Sequence, residues 1–438
     1  MKSSLLLILF FVFPCLQGRS QDYLSYFTGN KNDVITSPMG GVCLMGGASE
    51  DDNAMKWFLN RVDGGDVLVI RASGSDGYND YLYADLAVDI NSVETLIFYN
   101  MEAANLPEIQ EKIQNAEGIW IAGGNQSDYV SLWRNTPVSE LINEGILQRN
   151  IVVGGTSAGM AILGDYYFSA MNGTVYSTLA LNVPYNSNVV VDSSSFLSVP
   201  YLDHVITDTH YDDPDRKGRH VVFLARAFTD YNTITRGIAC DEYTAVCIDE
   251  FGIASVFGGY PNYDDNAYFI VPNCELVDPS PEVCAPGSAL EWNHNGQALN
   301  VYQVKGTIGG ANHFDLNTWQ TGEGGSWMYW SVEDGTLYES DGTEPQCATN
   351  VQDPTYDNDA IVYPVPTSHT LYVSHCQDSP FLYETPKFSI IDRYGRDVQA
   401  SHLTTGCQTQ LDCSHLADGI YQIIWNHGRS SHRFIVAH

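Results

Sequence analysis

Between Gly41 and Val153 the chain alternates short, continuously apolar runs with longer segments whose apolar residues recur at helical spacing. The runs at 42–47, 66–72, 95–99, 118–122 and 151–153 predict strands. A run without polar alternation suits a strand buried on both faces. Helices are predicted at 51–61, where Met55, Phe58 and Leu59 share one face, and at 81–88. Others fall at 106–115, with Pro107 near the first turn, and from 127 to 132, continuing beyond Pro137 through 138–147. This alternation predicts the α/β class: a parallel sheet, three layers in all, with helices on both faces. Ligands of such sheets gather at the carboxyl ends of the strands. Gly46-Gly47, Ser73-Gly74, Gly123-Gly124 and Ser157 fall at such ends.

Beyond Cys240 the texture changes to short strands and turns rich in Gly, Asp, Asn and Tyr. Residues 238–249 read as a strand hairpin around Asp241-Glu242, and 252–257 and 267–271 as strands extending the sheet. A Pro/Asp/Asn-rich linker at 353–359 precedes alternating strands at 371–373, 388–391, 420–425 and 433–436. These predict a small all-β domain of the sandwich type.

The chain has 438 residues, 44% hydrophobic and 12% aromatic, enough for a sizeable core and more than one domain. Its formal net charge of -33 argues against nucleic acid as a partner, since phosphate binding needs clustered Lys and Arg. The same charge favours a cationic substrate electrostatically. Residues 1–20 read as a signal peptide: Lys2, an apolar run at 5–13, Pro14, and small residues Gly18 and Ser20 for cleavage. The run is too short to span a membrane. Pro14 stands where lipidation at Cys15 needs a small residue. The expected location is therefore secreted or at the cell surface, reached through the periplasm. Of the cysteines that follow, Cys43, Cys240 and Cys247 sit in or beside apolar runs and are expected as buried free thiols. Cys274 and Cys284 flank a proline-rich excursion and are the best disulfide pair; Cys407 and Cys413 also flank a turn. No CxxC or HExxH spacing occurs, so no metal site is expected.

The chemistry centres on Gly154-Gly155-Thr156-Ser157-Ala158-Gly159, where a buried strand stops and a helix opens. A serine on such a tight turn is held clear of the sheet, with backbone N–H groups beside it, as in a Gly-x-Ser-x-Gly nucleophile elbow. A serine nucleophile needs a base and a group to orient that base. His210, in Asp208-Thr209-His210-Tyr211 at a strand end, and Glu242 are the candidates, and Gly123-Gly124-Asn125-Gln126 offers a further backbone N–H.

These segments together resemble the cyanophycinase branch of the serine exopeptidases that include aspartyl dipeptidase, over roughly residues 41–333. The resemblance rests on Gly154–Gly159, on Gly123–Gln126, and on Asp208–Tyr211 followed by Arg216, Gly218 and Arg219. It rests also on Gly237-Ile238-Ala239-Cys240-Asp241-Glu242. It implies a class I glutamine-amidotransferase-like, flavodoxin-like fold across a domain of residues 21–350. It implies Ser157 as nucleophile, His210 as base and Glu242 as its orienting acid. The N–H groups of Gly124 and Ala158 would form the oxyanion hole. Gln126, Asp208, Arg216 and Arg219 would bind substrate, a peptide or β-aspartyl peptide, with no metal or organic cofactor. Thr209, Pro214 and Val130 depart from the pattern at positions that concern substrate grip. The alternatives are a catalytically inactive binding or scaffold protein on the same fold, and an amidotransferase-like hydrolase. A homodimer is left open.

After the linker (351–361), residues 362–438 resemble a type IX secretion sorting domain. The resemblance is carried by Val362-Tyr363-Pro364-Val365-Pro366, Asp392-Arg393-Tyr394-Gly395-Arg396, Leu416-Ala417-Asp418-Gly419-Ile420-Tyr421 and Arg433-Phe434-Ile435-Val436. It implies outer-membrane secretion machinery as a partner.

Overall fold

The apolar runs of the first third of the chain form the parallel heart of a ten-stranded sheet. Its order is β1 (Tyr23–Gly29), β4 (Ser92–Phe98), β3 (Asp66–Arg71), β5 (Gly118–Ile121), β6 (Val152–Thr156), β2 (Val42–Met45), β11 (Ala245–Ile248), β12 (Ile253–Tyr260), β15 (Asn312–Asp315) and β16 (Gly322–Glu323). From β4 to β2 every pair is parallel. On either side the pairing turns antiparallel. The period of two along each strand sorts the core. Val42 and Leu44 join Ile70, Ile119 and Val153 on one face; Cys43 and Met45 join Val67, Val69 and Val152 on the other. Helix α1 (Asp52–Arg61), capped by the Asp51 carboxylate, covers the second face with Met55, Phe58 and Leu59. The short α2 (Gly77–Asp80) runs on into a wider π turn at Tyr81–Asp85. On the first face lie α3 (Pro107–Asn115), α4 (Gln126–Trp133) and α5 (Pro137–Glu144). Each fully buried aliphatic side chain contributes roughly 1.5–3 kcal/mol.

The structure is a computed structural model. It describes residues 21–347 apart from 194 and 195, and then 361–363, 370–374, 388–392, 397–398, 402–405, 408–416, 419–425 and 430–436. The expected signal peptide and the 353–359 linker lie outside the described residues. The chain divides into two compact units, Met1–Gln346 and Cys347–His438.

The first unit holds a second sheet of eight strands that the sequence did not announce. Its order is β18 (Thr336–Asp341), β17 (Gly325–Glu333), β14 (Leu299–Lys305), β13 (Asn266–Pro272), β10 (Arg236–Cys240), β9 (Val205–Asp208), β7 (Tyr166–Phe168) and β8 (Val191–Ser193). The four-residue α6 (Ala158–Ala161) follows β6. Helices α7 (Ser177–Asn182) and α8 (Lys217–Tyr231) pack on the second sheet through Ala180, Val221, Phe223 and Leu224.

Four expectations change. The 267–271 strand, expected to extend the first sheet, is β13 of the second. The 238–249 segment is no hairpin: β10 pairs with β9 and β13, whereas β11 pairs with β2 and β12, so the chain crosses between sheets at 241–244. The helix read through 127–147 breaks into α4 and α5. The Thr136 hydroxyl accepts from Val138 N–H, and Pro137 occupies the first turn, where its missing donor costs nothing. Cys274 and Cys347 are disulfide-bonded, while Cys284 is a free thiol packed among apolar neighbours, as a small hydrophobe does. Cys43, Cys240 and Cys247 are buried and free as expected. Cys413 is also a buried free thiol, and Cys407 lies outside the described residues.

Among its described residues the second unit has two four-stranded antiparallel sheets. One runs β19 (Ile361–Tyr363), β20 (Thr370–Ser374), β24 (Gln408–Asp412), β23 (His402–Thr405). The other runs β22 (Asp397–Val398), β21 (Phe388–Asp392), β25 (Gly419–Trp425), β26 (Ser430–Val436). Leu371 and Leu411 of the first sheet share one core with Ile390, Ile423 and Val436 of the second, which makes the pair a sandwich.

Candidate active site

Ser157 sits between β6 and α6 with φ 51° and ψ -115°, a backbone state that few residues other than glycine adopt. The turn is this tight because its glycines let backbones touch. A Cβ on Gly159 would stand 2.0 Å from the Ile121 carbonyl oxygen, and one on Gly155 2.6 Å from the Gly159 carbonyl carbon. The Ser157 N–H donates to Met45 O at 3.0 Å, which fixes the turn to the end of β2.

His210 follows β9, also at positive φ (47°), and its N–H donates to Gly46 O at 2.9 Å. Gly47 lies beneath the imidazole so closely that a Cβ there would stand 2.4 Å from Nε2. His210 Nε2 is 2.8 Å from Ser157 Oγ, and Nδ1 is 2.5 Å from Glu242 Oε1. A carboxylate only accepts, so Nδ1 carries the proton and Nε2 is left to accept from the serine hydroxyl. Glu242 stands in the crossover between the sheets, where its N–H donates to Asp212 Oδ1 at 3.0 Å. Gly46 N–H donates to Thr244 O at 2.9 Å and Tyr243 N–H to Gly47 O at 3.1 Å, which seat the crossover on the end of β2.

The glycine loop at 123–124 lies against this group. A Cβ on Gly123 would be 3.7 Å from Ser157 Cβ, and the Tyr129 hydroxyl donates to Ala122 O (2.9 Å) and Gly123 O (3.0 Å). A cavity of about 360 Å³ opens here, lined by Gly124, Gln126, Ser157, His210 and Arg216 and walled by Phe168, Ala170, Met171 and Thr174. Gln126 Nε2 donates to Phe168 O at 3.2 Å, which turns the amide along the wall.

The two arginines differ. Arg219 reaches the cavity, yet its guanidinium is bound twice by Asp208, Nε to Oδ2 at 2.8 Å and Nη2 to Oδ1 at 2.5 Å. Burial alone would raise the Asp208 carboxyl, but Arg219 holds it below its ordinary value, so the pair is ionised and neutral in sum. Asp208 is 2% exposed and does not line the cavity; it positions Arg219. Arg216 donates through Nη1 to Thr209 O at 3.0 Å, and its buried Nε has no partner. It is the guanidinium without a bound carboxylate among the cavity's residues. Burial lowers its pKa from the usual value. Val130, where the resemblance expects lysine, is buried in the core.

Asp241, beside Glu242, carries a second perturbed carboxyl. Its Oδ2 accepts from Asn266 N (2.8 Å) and Nδ2 (3.1 Å), while the buried Oδ1 has no partner. Burial pushes this carboxyl up to about 7 against the Asn266 donors, and Asp212 and Asp265 add to the rise. Sequence reasoning named Asp241 only as a neighbour of Glu242 and missed Asp212 and the wall at 168–174. Only the glycine pair at 46–47 carried a signal, as a strand end. Among the described residues Asp165, Asp203 and His204 bring ligand atoms within 4.8 Å of one another, and none of them lines the cavity.

Residues 82–256 match the family model described as peptidase family S51, and residues 361–437 match the secretion system C-terminal sorting domain. The chain carries a peptidase family S51 domain and a C-terminal sorting domain. It is 27% identical over 166 residues to the cyanophycinase of Trichormus variabilis, covering 38% of this chain and 50% of that one. Against the cyanophycinase of Synechococcus elongatus it is 28% identical over 134 residues, 29% of this chain and 42% of the other. The chain thus spans about half the length of the curated relatives it matches. Among solved structures, a peptidase from an acI-B1 Actinobacterium aligns at TM-score 0.38 and 18% identity, over 51% of this chain and 89% of that one. A putative peptidase E protein from Listeria monocytogenes aligns at TM-score 0.33 and 16% identity, over 50% and 99%.

The Asp241 environment predicts a pH effect on stability. A carboxyl raised in the folded state stabilises below its unfolded value, and that contribution is lost as pH climbs toward about 7. Asp241→Asn removes the titrating group. The variant should match the parent near pH 4 and melt at a higher temperature than the parent at pH 8. Thermal melts at both pH values check this, and equal differences at the two would show that Asp241 does not titrate in the folded chain.

Proposed function

We propose that this protein is an exported serine peptidase that cleaves peptide or β-aspartyl bonds through an acyl-enzyme, with Ser157 as nucleophile. The observation that carries the reading is the relay of 2.8 Å and 2.5 Å from Ser157 through His210 to Glu242, mounted on a strained strand-to-helix turn. In the first step Ser157 Oγ attacks the substrate carbonyl carbon and its proton passes to His210 Nε2. Glu242 accepts from Nδ1–H throughout, so it holds the tautomer and stabilises the imidazolium. The N–H groups of Gly124 and Ala158 stand for the oxyanion hole; Ala158 N–H is an orphan donor of a helix start. Collapse of the tetrahedral adduct expels the amine, which takes the proton from Nε2. Water then repeats the sequence on the ester and frees Ser157.

The cavity narrows the substrate. About 360 Å³ walled by Phe168, Ala170 and Met171 suits the terminal residues of a short peptide, which supports an exopeptidase. Arg216 supports recognition of a substrate carboxylate, since a guanidinium pairs with a carboxylate through two hydrogen bonds. Arg219 is already neutralised by Asp208 and shapes the floor. Gln126 keeps its amide oxygen for the substrate backbone. The sorting-domain match supports export across an outer membrane by the type IX route, with the secretion machinery as partner of residues 362–438.

Ser157→Ala should lower kcat for aspartyl and β-aspartyl dipeptides by about four orders of magnitude or more with the fold intact, because nucleophile and base act as a unit. Arg216→Met should lower kcat/KM about 10- to 100-fold for acidic dipeptides and leave their neutral analogues little changed, the loss of a charged hydrogen bond. Equal losses for both substrates would remove Arg216 from recognition. Deletion of 362–438 should leave the peptidase inside a host that has this secretion system. Its appearance in the medium would overturn the address.

A further inference from the structure

Cys43 and Cys247 stand directly opposite each other on antiparallel neighbours β2 and β11, with Sγ atoms 3.6 Å apart. Both side chains point into the same core cluster, 0% and 1% exposed. Opposed residues of an antiparallel pair lie about 4.5–5.5 Å apart at Cα, inside the span that a disulfide bridges. Forming the bond needs about 1.6 Å of sulfur approach, within reach of small side-chain rotations. The chain makes disulfides elsewhere, at Cys274 and Cys347, so it matures where thiols are oxidised. Cys240, the third thiol of the region, belongs to the other sheet and its Sγ lies 3.8 Å from Leu44 O.

We propose that Cys43 and Cys247 become a cross-strand disulfide during maturation, a covalent lock between β2 and β11. The oxidant is a disulfide donor, such as an oxidised thiol–disulfide oxidoreductase. One cysteine thiolate attacks a donor sulfur and releases one donor thiol. The second attacks the resulting mixed disulfide, forms the Cys43–Cys247 bond and releases the other donor thiol. Two electrons and two protons leave the cysteines for the donor. The exchange belongs to the folding chain, because the finished fold seals both sulfurs from solvent.

The bond would sit three residue pairs below Gly46 and Thr244, on the ladder that also joins Gly47 to Tyr243. That ladder carries His210 through Gly46 O and the Glu242 crossover through Thr244 O. The lock would close a loop between two distant parts of the sequence, where a crosslink restricts the unfolded chain most.

The test uses the full chain, exported to an oxidising periplasm, unfolded in guanidinium with an alkylating agent, and mapped by mass spectrometry without reduction. The expected product is a Cys43–Cys247 crosslinked peptide. The Cys43→Ala/Cys247→Ala variant should melt at least about 5 °C below the parent. The gap should narrow when both are refolded under reductant, leaving only the packing lost with the two buried sulfurs. Recovery of both cysteines as alkylated thiols would overturn the proposal, and so would a crosslink of Cys43 to Cys240. Refolding the parent in a glutathione redox buffer gives a second reading, independent of the variant's folding. Crosslinked peptide supports the lock, and stable glutathione adducts at either position overturn it.

Discussion

Three residues, Met45, Gly46 and Gly47, hold Ser157, His210 and the Glu242 crossover through their backbones. Met45 O holds the Ser157 turn, Gly46 O holds His210, Gly46 N–H holds Thr244 beyond Glu242, and Gly47 O holds Tyr243. Each group arrives from a different part of the fold: β6 of the first sheet, β9 of the second, and the crossover between the two. Only glycine meets the demands of the hub. A Cβ on Gly46 would stand 2.0 Å from the Asp241 carbonyl oxygen, and Gly47 has φ 121° with the imidazole against it. Hydrogen bonds of this kind are worth about 1 kcal/mol each, so their value here lies in fixing geometry rather than in stability.

Electrostatics divides the labour around that hub. The Asp208–Arg219 pair is buried and mutually satisfied, so it shapes the cavity without lending it net charge. Arg216, the other guanidinium lining the cavity, has no carboxylate bound to it. At the crossover, Asp212 and Asp265 act on Asp241, the most buried of the three, and add to the rise that its burial causes.

The parallel half of the fold was legible because strands buried on both faces must be continuously apolar, and the helices between them must be amphipathic. Val67–Ile70 and Met55, Phe58 and Leu59 show this directly. The second sheet was not legible. An apolar run states that a strand is buried, not which strand it pairs with. Cys240 and Ala245 are five residues apart, yet they end in different sheets. At the candidate site, Ser157 and His210 stood out because each follows an apolar run, and Glu242 through the family resemblance; the fold brings the three side chains together. Asp241 and Asp212 did not stand out, since their meaning comes from Asn266 and Glu242, which only the fold brings beside them. Asp208, expected to bind substrate, lies against Arg219 and does not line the cavity, because a buried carboxylate needs a nearby cation.

The proposed chemistry requires that His210 activate Ser157. A fluorophosphonate reacts only with a serine whose proton is drawn away, so its adduct reports that activation without any assumption about substrate. Mass spectrometry of the labelled chain should find one adduct, on the peptide that contains Ser157. Labelling should fall to background in His210→Ala. An unlabelled parent, an adduct on another serine, or equal labelling of the His210→Ala variant would contradict the account.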